Sequence, residues 1–163
     1  MAAALAPYRK LLRIVAPATM DGGDVLRLGR TLYVGASARS NADAVVQLTE
    51  LLAPYGYRVQ TVPLHGCLHP KSAVTQVASD VLLFNPDWVD AYQFPGYRTI
   101  TVDPGEPFAA NAVWTGDGLV YSASFPHTAA RLRQAGIDVR TVDMTETEKA
   151  EGGVTCCSVL LDT

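Results

Sequence analysis

The sequence lacks an excess of basic residues, and it lacks the long apolar runs that a membrane segment needs. The 163 residues include 13 basic and 16 acidic side chains, for a net charge of −3, and the basic ones form no cluster. This argues against the strongly basic surfaces that bind nucleic acids and anionic membranes. No apolar stretch approaches the roughly 20 residues that cross a bilayer, and the apolar residues at the start are too few for a secretory signal.

Cysteine is also scarce, with three residues in the chain. An odd number of cysteines without an export signal predicts reduced thiols and a cytoplasmic location. Hydrophobic residues make up 48% of the sequence and charged residues 18%, as in ordinary folded proteins. We therefore expect one compact cytoplasmic domain whose thiols are free to react.

A strand–strand–helix–strand pattern occurs three times along the chain. The units begin near residues 25, 73 and 112, and a period of roughly 40 to 50 residues is typical of stacked or radially arranged modules. In the first unit, two strands joined by a tight turn precede a helix capped by Asn41. The predicted elements are strands 25–28, 31–34 and 58–64 with helix 41–53, strands 73–77, 81–84 and 97–102 with a short helix at 88–92, and strands 112–115, 119–121 and 138–142 with helix 128–135.

The residues before the first unit predict a helix and then a strand at 11–15. They resemble the end of a further module whose beginning is absent. A set of three modules leaves sheet edges open. We therefore expect a homo-oligomer or a complementary chain to cover those edges.

Two adjacent cysteines, Cys156 and Cys157, lie in a segment whose composition favours a strand. Residues 154–161 are rich in Val, Thr and Leu, which are strand formers, and the preceding glycine pair allows a sharp turn. Because successive side chains of a strand point to opposite faces, one thiol can face a site while the other packs. A buried, unreactive thiol is also a common fate of cysteine.

A reactive cysteine needs partners, and the chain contains one candidate of each kind. The thiolate is favoured by a cationic neighbour, usually histidine, and the histidine needs an acid to orient it. His69 and Asp21 are the candidates for these two roles. Each motif alone has a plainer interpretation, because an Asp-Gly-Gly-Asp turn is often only solvated.

The segment around His69 also has two other interpretations. His65, Cys67 and His69 alternate, and with Cys156 they would form a four-ligand zinc set of Cys and His. Structural zinc ligands usually come in two paired knuckles, and none is visible here. The remaining interpretation is a surface loop with exposed histidines.

Together, five motifs resemble those of the dimethylargininase (dimethylarginine dimethylaminohydrolase) family. That family belongs to the guanidine-modifying amidinotransferase, or pentein, superfamily, with arginine deiminases. The resemblance implies an α+β fold, a propeller of strand–strand–helix–strand modules, of which this chain holds about three of five. The motifs are DGGDV at 21–25, SARSN at 37–41, LHPKS at 68–72, AAN at 109–111 and GGVTCCSVL at 152–160, and the implied ranges are 1–20 for a truncated module, 21–66, 67–105 and 106–145 for three modules, and 146–163 for the nucleophile strand.

The resemblance also implies roles for individual residues. Cys156 matches the nucleophile, with Cys157 facing away, His69 the general acid and base, and Asp21 the acid that orients His69. The substrate-binding positions that match are Arg39, for the substrate carboxylate, and Ala150, whose carbonyl would meet the substrate amino group. The implied substrate is a small molecule, a methylated arginine. It is hydrolysed to citrulline through a covalent thiouronium intermediate, with no metal or other cofactor.

Departures from the family leave alternatives open. Pro70 stands where family members commonly carry leucine, which could shift the backbone beside His69. Lys71 stands where arginine deiminases carry an aspartate, which favours a methylated arginine over free arginine. Family members also have a long preceding segment with the carboxylates that clamp the guanidinium. The alternatives are therefore a catalytically impaired fragment or assembly subunit, and an arginine deiminase-like activity.

Overall fold

The computed structural model describes residues 2–161, so residues 1, 162 and 163 at the ends of the predicted ranges lie outside the described part. The chain forms three small sheets of three strands each. The strands are β1 (Val25–Leu28), β2 (Thr31–Gly35), β3 (Arg58–Val62), β4 (Val74–Ala78), β5 (Val81–Phe84), β6 (Arg98–Thr101), β7 (Ala112–Trp114), β8 (Leu119–Ser122) and β9 (Val139–Val142), and the α-helices are α1 (Ala2–Leu5), α2 (Ala42–Leu52), α3 (Pro70–Ala73), α4 (Pro126–Gln134) and α5 (Thr145–Glu148).

All three sheets have the same topology. The middle strand pairs antiparallel with the strand before it and parallel with the strand after it. A tight turn suffices for the first pairing, whereas the parallel pairing needs a crossover. The crossovers contain α2 in the first sheet, the 3-10 turn Ala91–Gln93 in the second and α4 in the third. The predicted threefold repeat and the α+β class are confirmed, and the module boundaries stay a prediction.

The helices begin and end where the sequence provides caps. The Asn41 side chain accepts a hydrogen bond from the Ala44 N–H at 3.1 Å, which satisfies a free donor at the start of α2. The chain leaves this helix through a 3-10 turn that closes at Gly56, whose φ of 74° is in the left-handed region. Helix α4 begins at Pro126, two residues before the predicted start, because proline fits the first helical turn.

The core lies on both sides of the middle sheet. All four residues of β5 are buried, and alternation sends Leu82 to one face and Leu83 to the other. Leu82 packs with Leu26 and Tyr33 of the first sheet. Leu83 packs with residues of the third sheet, Leu119 and Tyr121 among them. No helix within residues 2–161 is long and apolar enough to cross a membrane.

Two sequence predictions of local structure need correction here. Residues 11–15 form no strand. The backbone of Val15 instead bonds the Gln47 side chain of α2, through its N–H at 2.9 Å and its carbonyl at 3.0 Å, so its hydrogen bonds are satisfied without a neighbouring strand. The helix predicted at 88–92 is reduced to turns and the 3-10 segment Ala91–Gln93.

Glu106 caps α4 from a distant loop, and this contact gives a stability prediction. Its carboxylate, 8% exposed, accepts from the N–H groups of His127 at 2.9 Å and Thr128 at 2.7 Å. Glu106→Gln places an amide donor against one of these donors, so we expect the free energy of unfolding to fall by about 1–3 kcal/mol. Urea unfolding measures this. The control Glu146→Gln changes an exposed side chain and should shift stability by less than about 0.5 kcal/mol; equal losses would contradict the capping role.

Candidate active site

His69 is fixed by the residue that follows it. It precedes helix α3 with φ −135° and ψ 146°, an extended conformation that proline imposes on the residue before it. Pro70 is buried, and its ring packs so closely on Gly35 that a Cβ there would lie 2.6 Å from the ring carbons. The backbone at His69 is therefore held by a proline that is itself seated against β2.

Asp21 lies beside the His69 imidazole. The Nε2 atom of His69 is 3.6 Å from Oδ2 of Asp21, and the His69 side chain is 16% exposed. This Nε2 atom is buried without a hydrogen-bond partner among the described residues. That distance is just beyond a hydrogen bond, so the two groups face each other without a direct bond.

The Asp21 carboxylate is held in its charged form. The Gly23 N–H donates to Oδ1 at 2.8 Å, and this bond, followed by the Arg39 guanidinium at 3.3 Å from Oδ2, lowers the pKa of Asp21 below its usual value, although partial burial opposes the shift. A depressed pKa stabilises the fold above the unfolded value of about 3.9. That contribution is lost as the pH falls through the lower folded value. Asp21 is therefore ionised at neutral pH.

A second carboxylate ties the motif at 21–24 to the motif at 37–41. Asp24 is fully buried, and its Oδ2 accepts from the hydroxyls of Ser37 at 2.5 Å and Ser40 at 2.6 Å. The Ser40 hydroxyl in turn accepts from the Asp21 N–H at 3.1 Å. This network, which the sequence did not reveal, sets Asp21 and Arg39 side by side.

Gly23 packs closely against the imidazole, and this gives a test of His69 placement. A Cβ at Gly23 would be 2.8 Å from the ring carbons Cγ and Cδ2 of His69, whereas a Cβ at Gly22 would meet nothing within 4 Å. Gly23→Ala should push the ring away from Asp21, and a displacement of about 1 Å costs about 100-fold in turnover. Steady-state kinetics measures this loss. Gly22→Ala is the matched control, expected within about twofold of the wild type; equal activities would contradict the close packing.

The two adjacent cysteines lie in a turn, so the predicted C-terminal strand is wrong. The Cys156 N–H donates to the Gly153 carbonyl at 3.0 Å and the Ser158 N–H to the Thr155 carbonyl at 3.3 Å, and the Ser158 hydroxyl donates to the Val154 carbonyl at 2.7 Å. These local bonds replace a strand partner. Both thiols are exposed, and the prediction that Cys157 packs inside is wrong as well.

Lys71 marks where the predicted catalytic segments converge. Burial, the largest effect, lowers the pKa of Lys71, while the nearby Cys156, Asp21 and Asp24 act in the opposite direction. The ammonium group is thus within electrostatic range of both the candidate nucleophile and the candidate orienting acid. Lys71 also follows His69 by two residues. The Asn111 side chain joins the Lys71 carbonyl to the Thr155 hydroxyl, so the turn that carries Cys156 lies against the segment that carries His69.

Of the two predicted substrate-binding residues, Arg39 contacts Asp21 at the site, whereas Ala150 lies in an exposed turn. Arg39 is at the site, because its guanidinium contacts the Asp21 carboxylate, and its side chain is 54% exposed. Ala150 is exposed in the turn that follows α5, where its N–H donates to the Thr147 carbonyl at 3.0 Å. Within residues 2–161, no hydrogen bond joins Ala150 to Asp21, His69 or Arg39.

Cys67 is not available as a second nucleophile. Its thiol is near the His69 carbonyl, at 3.6 Å, and burial raises the pKa of Cys67 to about 11. The thiol stays protonated at neutral pH and is unreactive. Among residues 2–161, no three His, Cys, Asp or Glu side chains are grouped so that they could hold a metal ion; the alternating residues at 65, 67 and 69 do not converge with Cys156.

A groove of about 280 Å³ borders the site. The first strand of each sheet lines it, through Arg27, Gln76 and Trp114 among others, and Lys71 and Thr155 form part of its wall. The groove reaches the candidate site through these last two residues, while Asp21, His69 and Cys156 lie beside it rather than in its lining. The three sheets therefore face one common groove that opens next to the thiol.

Comparisons with known proteins find dimethylarginine dimethylaminohydrolases in sequence and in structure, together with enzymes that share only the fold. The chain is 41% identical over 146 residues to the dimethylarginine dimethylaminohydrolase of Streptomyces coelicolor, covering 89% of this chain. The structure of the Pseudomonas aeruginosa dimethylarginine dimethylaminohydrolase, a cysteine-to-serine variant complexed with citrulline, is similar at a TM-score of 0.82 with 31% identity, over 88% of this chain and 56% of that one. An inosamine-phosphate amidinotransferase from Streptomyces griseus shares the fold alone, at a TM-score of 0.77 and 19% identity, over 91% of this chain and 50% of that one.

The match covers only part of each relative. The chain spans 55% and 59% of the length of the two curated dimethylarginine dimethylaminohydrolases that it matches. No protein-family model matches the chain. The similarity thus establishes kinship and fold over the shared part.

Proposed function

Over the part that it spans, the chain belongs to the dimethylarginine dimethylaminohydrolase family, and on this premise we propose that it hydrolyses dimethylarginine to citrulline and dimethylamine. The observation that carries the proposal is that the Asn111 side chain joins the Lys71 carbonyl, two residues after His69, to the Thr155 hydroxyl, one residue before the exposed Cys156 thiol, while Asp21 lies beside His69. A thiol, an imidazole and a carboxylate are the groups that covalent amidine hydrolysis requires. The relative whose cysteine was replaced by serine holds citrulline, the product of this reaction.

The first half of the proposed reaction forms a covalent intermediate. The Cys156 thiolate attacks the central carbon of the guanidinium and forms a C–S bond. The C–N bond to the dimethylamino group breaks as His69 gives its proton to the departing amine. Asp21, ionised and 3.6 Å from the imidazole, is the acid that orients His69 for this step.

The second half regenerates the enzyme. Water attacks the same carbon of the thiouronium while neutral His69 takes its proton, and the C–S bond breaks to release Cys156 thiolate and citrulline. Each turnover consumes one water and releases one dimethylamine and one citrulline, so the reaction balances without an oxidant or a cofactor. Because the substrate is cationic, its binding favours the thiolate over the thiol.

Lys71 bears on the choice between methylated and free arginine. Its half-buried ammonium lies near the site. A carboxylate at this position would accept a further hydrogen bond from an unsubstituted guanidinium. An ammonium group has donors and no acceptor, so Lys71 cannot accept a hydrogen bond from a second unsubstituted guanidinium nitrogen. We therefore propose a guanidino-methylated arginine as the substrate, with Arg39 binding its carboxylate and the Ala150 carbonyl accepting from its amino group.

The setting of the reaction is part of the proposal. Three free thiols among the described residues are compatible with the reducing cytoplasm. The groove beside the site is bordered by exposed apolar residues, such as Leu160 at 61% exposure. We propose that further polypeptide, from the same protein or from a second copy, covers this side when substrate binds.

Citrulline release tests the proposed function. The purified chain is incubated with asymmetric dimethylarginine or with arginine, and citrulline is quantified by mass spectrometry. The proposal predicts citrulline from dimethylarginine at a rate well above that from arginine. Faster release from arginine would indicate a deiminase, and no release from folded protein at any protein concentration would favour an impaired fragment or assembly subunit.

A further inference from the structure

We propose that Asn111 is a positioning residue that fixes the Cys156 turn against the segment carrying His69. This inference rests on the proposed function, because it assigns Asn111 a task in bringing the thiol and the imidazole together. Asn111 is far from both in sequence and has no titratable group of its own. It would act through hydrogen bonds to their neighbours.

The Asn111 carboxamide bonds both halves of the site at once. Its Nδ2 donates to the Lys71 carbonyl at 3.1 Å and to the Thr155 hydroxyl at 2.9 Å. Its Oδ1 accepts from the Thr155 N–H at 3.0 Å. Both amide protons are therefore used, and only a carboxamide offers two donors and an acceptor in this geometry.

The turn also packs directly against Asn111. A Cβ at Gly153 would lie 2.5 Å from Oδ1 and 2.6 Å from Cγ of Asn111, so the backbone approaches the carboxamide as closely as only glycine allows. Cys156 closes its turn on this same residue, through the bond from its N–H to the Gly153 carbonyl. The position of the thiol thus depends on where Asn111 lies.

Asn111 itself belongs to the rigid part of the fold. It directly precedes β7, and Ala109 and Ala110 before it are fully buried. The Ala110 carbonyl accepts from the Thr75 hydroxyl of β4 at 2.6 Å. The carboxamide therefore extends from the junction of two sheets to one residue before the thiol and two residues after the imidazole, where a misplacement of about 1 Å costs about 100-fold in rate.

The test replaces the carboxamide by an isosteric carboxylate. Asn111→Asp keeps the acceptor for the Thr155 N–H but sets a negative oxygen against the Lys71 carbonyl and near the Cys156 thiol. We expect turnover of dimethylarginine to fall about 100-fold with little change in KM. The pH at half-maximal labelling of Cys156 by a chloroacetamidine should be higher than in the wild type, because a nearby negative charge disfavours the thiolate.

The matched control is Asn85→Asp. Asn85 is also buried and also bridges a loop, donating to the Pro107 carbonyl at 2.8 Å and accepting from the Asp87 N–H at 2.9 Å. The Asn85→Asp variant should lose about as much free energy of unfolding as Asn111→Asp, but the pH dependence of Cys156 labelling should not change. Equal kinetics and equal labelling profiles for the two variants would overturn the proposal.

A second pair of variants covers the case in which Asn111→Asp does not fold. Thr155→Val removes the hydroxyl that accepts from Nδ2, and Thr155→Ser retains it. We expect labelling of Cys156 to slow about fivefold in the first and to stay near wild type in the second, since the loss of one hydrogen bond worth about 1 kcal/mol corresponds to about fivefold in rate. Equal labelling rates would overturn the proposal. Labelling does not require turnover, so these results stand even if the wild-type chain releases no citrulline.

Discussion

Replacing Cys156 by serine should abolish the hydrolysis of dimethylarginine, with a loss of at least about 10,000-fold, because the attacking group of a covalent mechanism is removed. Cys157→Ser should retain activity within about threefold. Both thiols are exposed, so burial does not distinguish them. The distinction lies in the surroundings, since Cys156 lies within electrostatic range of Lys71 and directly follows Thr155, which Asn111 anchors.

The two serine variants can be compared by labelling as well as by turnover. A chloroacetamidine resembles the cationic guanidinium and alkylates thiolates. Intact-mass analysis should show one added label on wild type and on Cys157→Ser, and none on Cys156→Ser. Labelling of Cys156→Ser at the wild-type rate would assign the reactive thiol to another cysteine and would contradict the account.

Replacing His69 by asparagine should slow turnover by about 100- to 10,000-fold, the range over which a positioned general acid and base contributes. Asparagine is similar in size but cannot carry the proton to the leaving amine. His65→Asn is the matched control, because His65 is an exposed histidine of the same loop. It should leave turnover within about twofold of wild type.

The pH dependence separates the catalytic role of His69 from a structural one. In the proposed mechanism His69 accepts the proton of the attacking water, so the His69→Asn variant should lose the part of the wild-type pH dependence of turnover that this proton transfer causes. Asp21 does not contribute to the pH dependence of turnover near neutral pH, because its pKa is lowered by the Gly23 N–H and by Arg39. A His69→Asn variant whose pH dependence of turnover equals that of the wild type would indicate another general base.

The repeat could be predicted from the sequence because each module carries its own local signals. The hairpin between β1 and β2, the Asn41 cap and the left-handed Gly56 depend on residues close in the chain. The two strand predictions at 11–15 and 154–161 are wrong because a strand depends on a neighbouring strand and not only on residues close in the chain. A strand needs a partner, and in these segments Gln47 and local turn bonds take the backbone hydrogen bonds instead.

The candidate catalytic residues could be predicted from the sequence, but the residues that hold them in position could not. Asp21, His69 and Cys156 belong to residue types whose chemistry can be named in advance, and the structure brings their segments together around Lys71. The role of Asn111 depends on contacts with residues 40 and 44 positions away, which no local pattern encodes. Gly23 and Gly35 likewise matter because of the rings packed on them.

The central claim is that Cys156 carries a covalent intermediate, and rapid acid quenching tests it most directly. The chain is mixed with asymmetric dimethylarginine, quenched during turnover, digested and mapped by mass spectrometry. The account predicts a substrate-derived adduct on the peptide containing Cys156, which disappears when the reaction is allowed to finish and is absent from Cys156→Ser. Citrulline formed without any adduct, or with the adduct on Cys67 or Cys157, would contradict it.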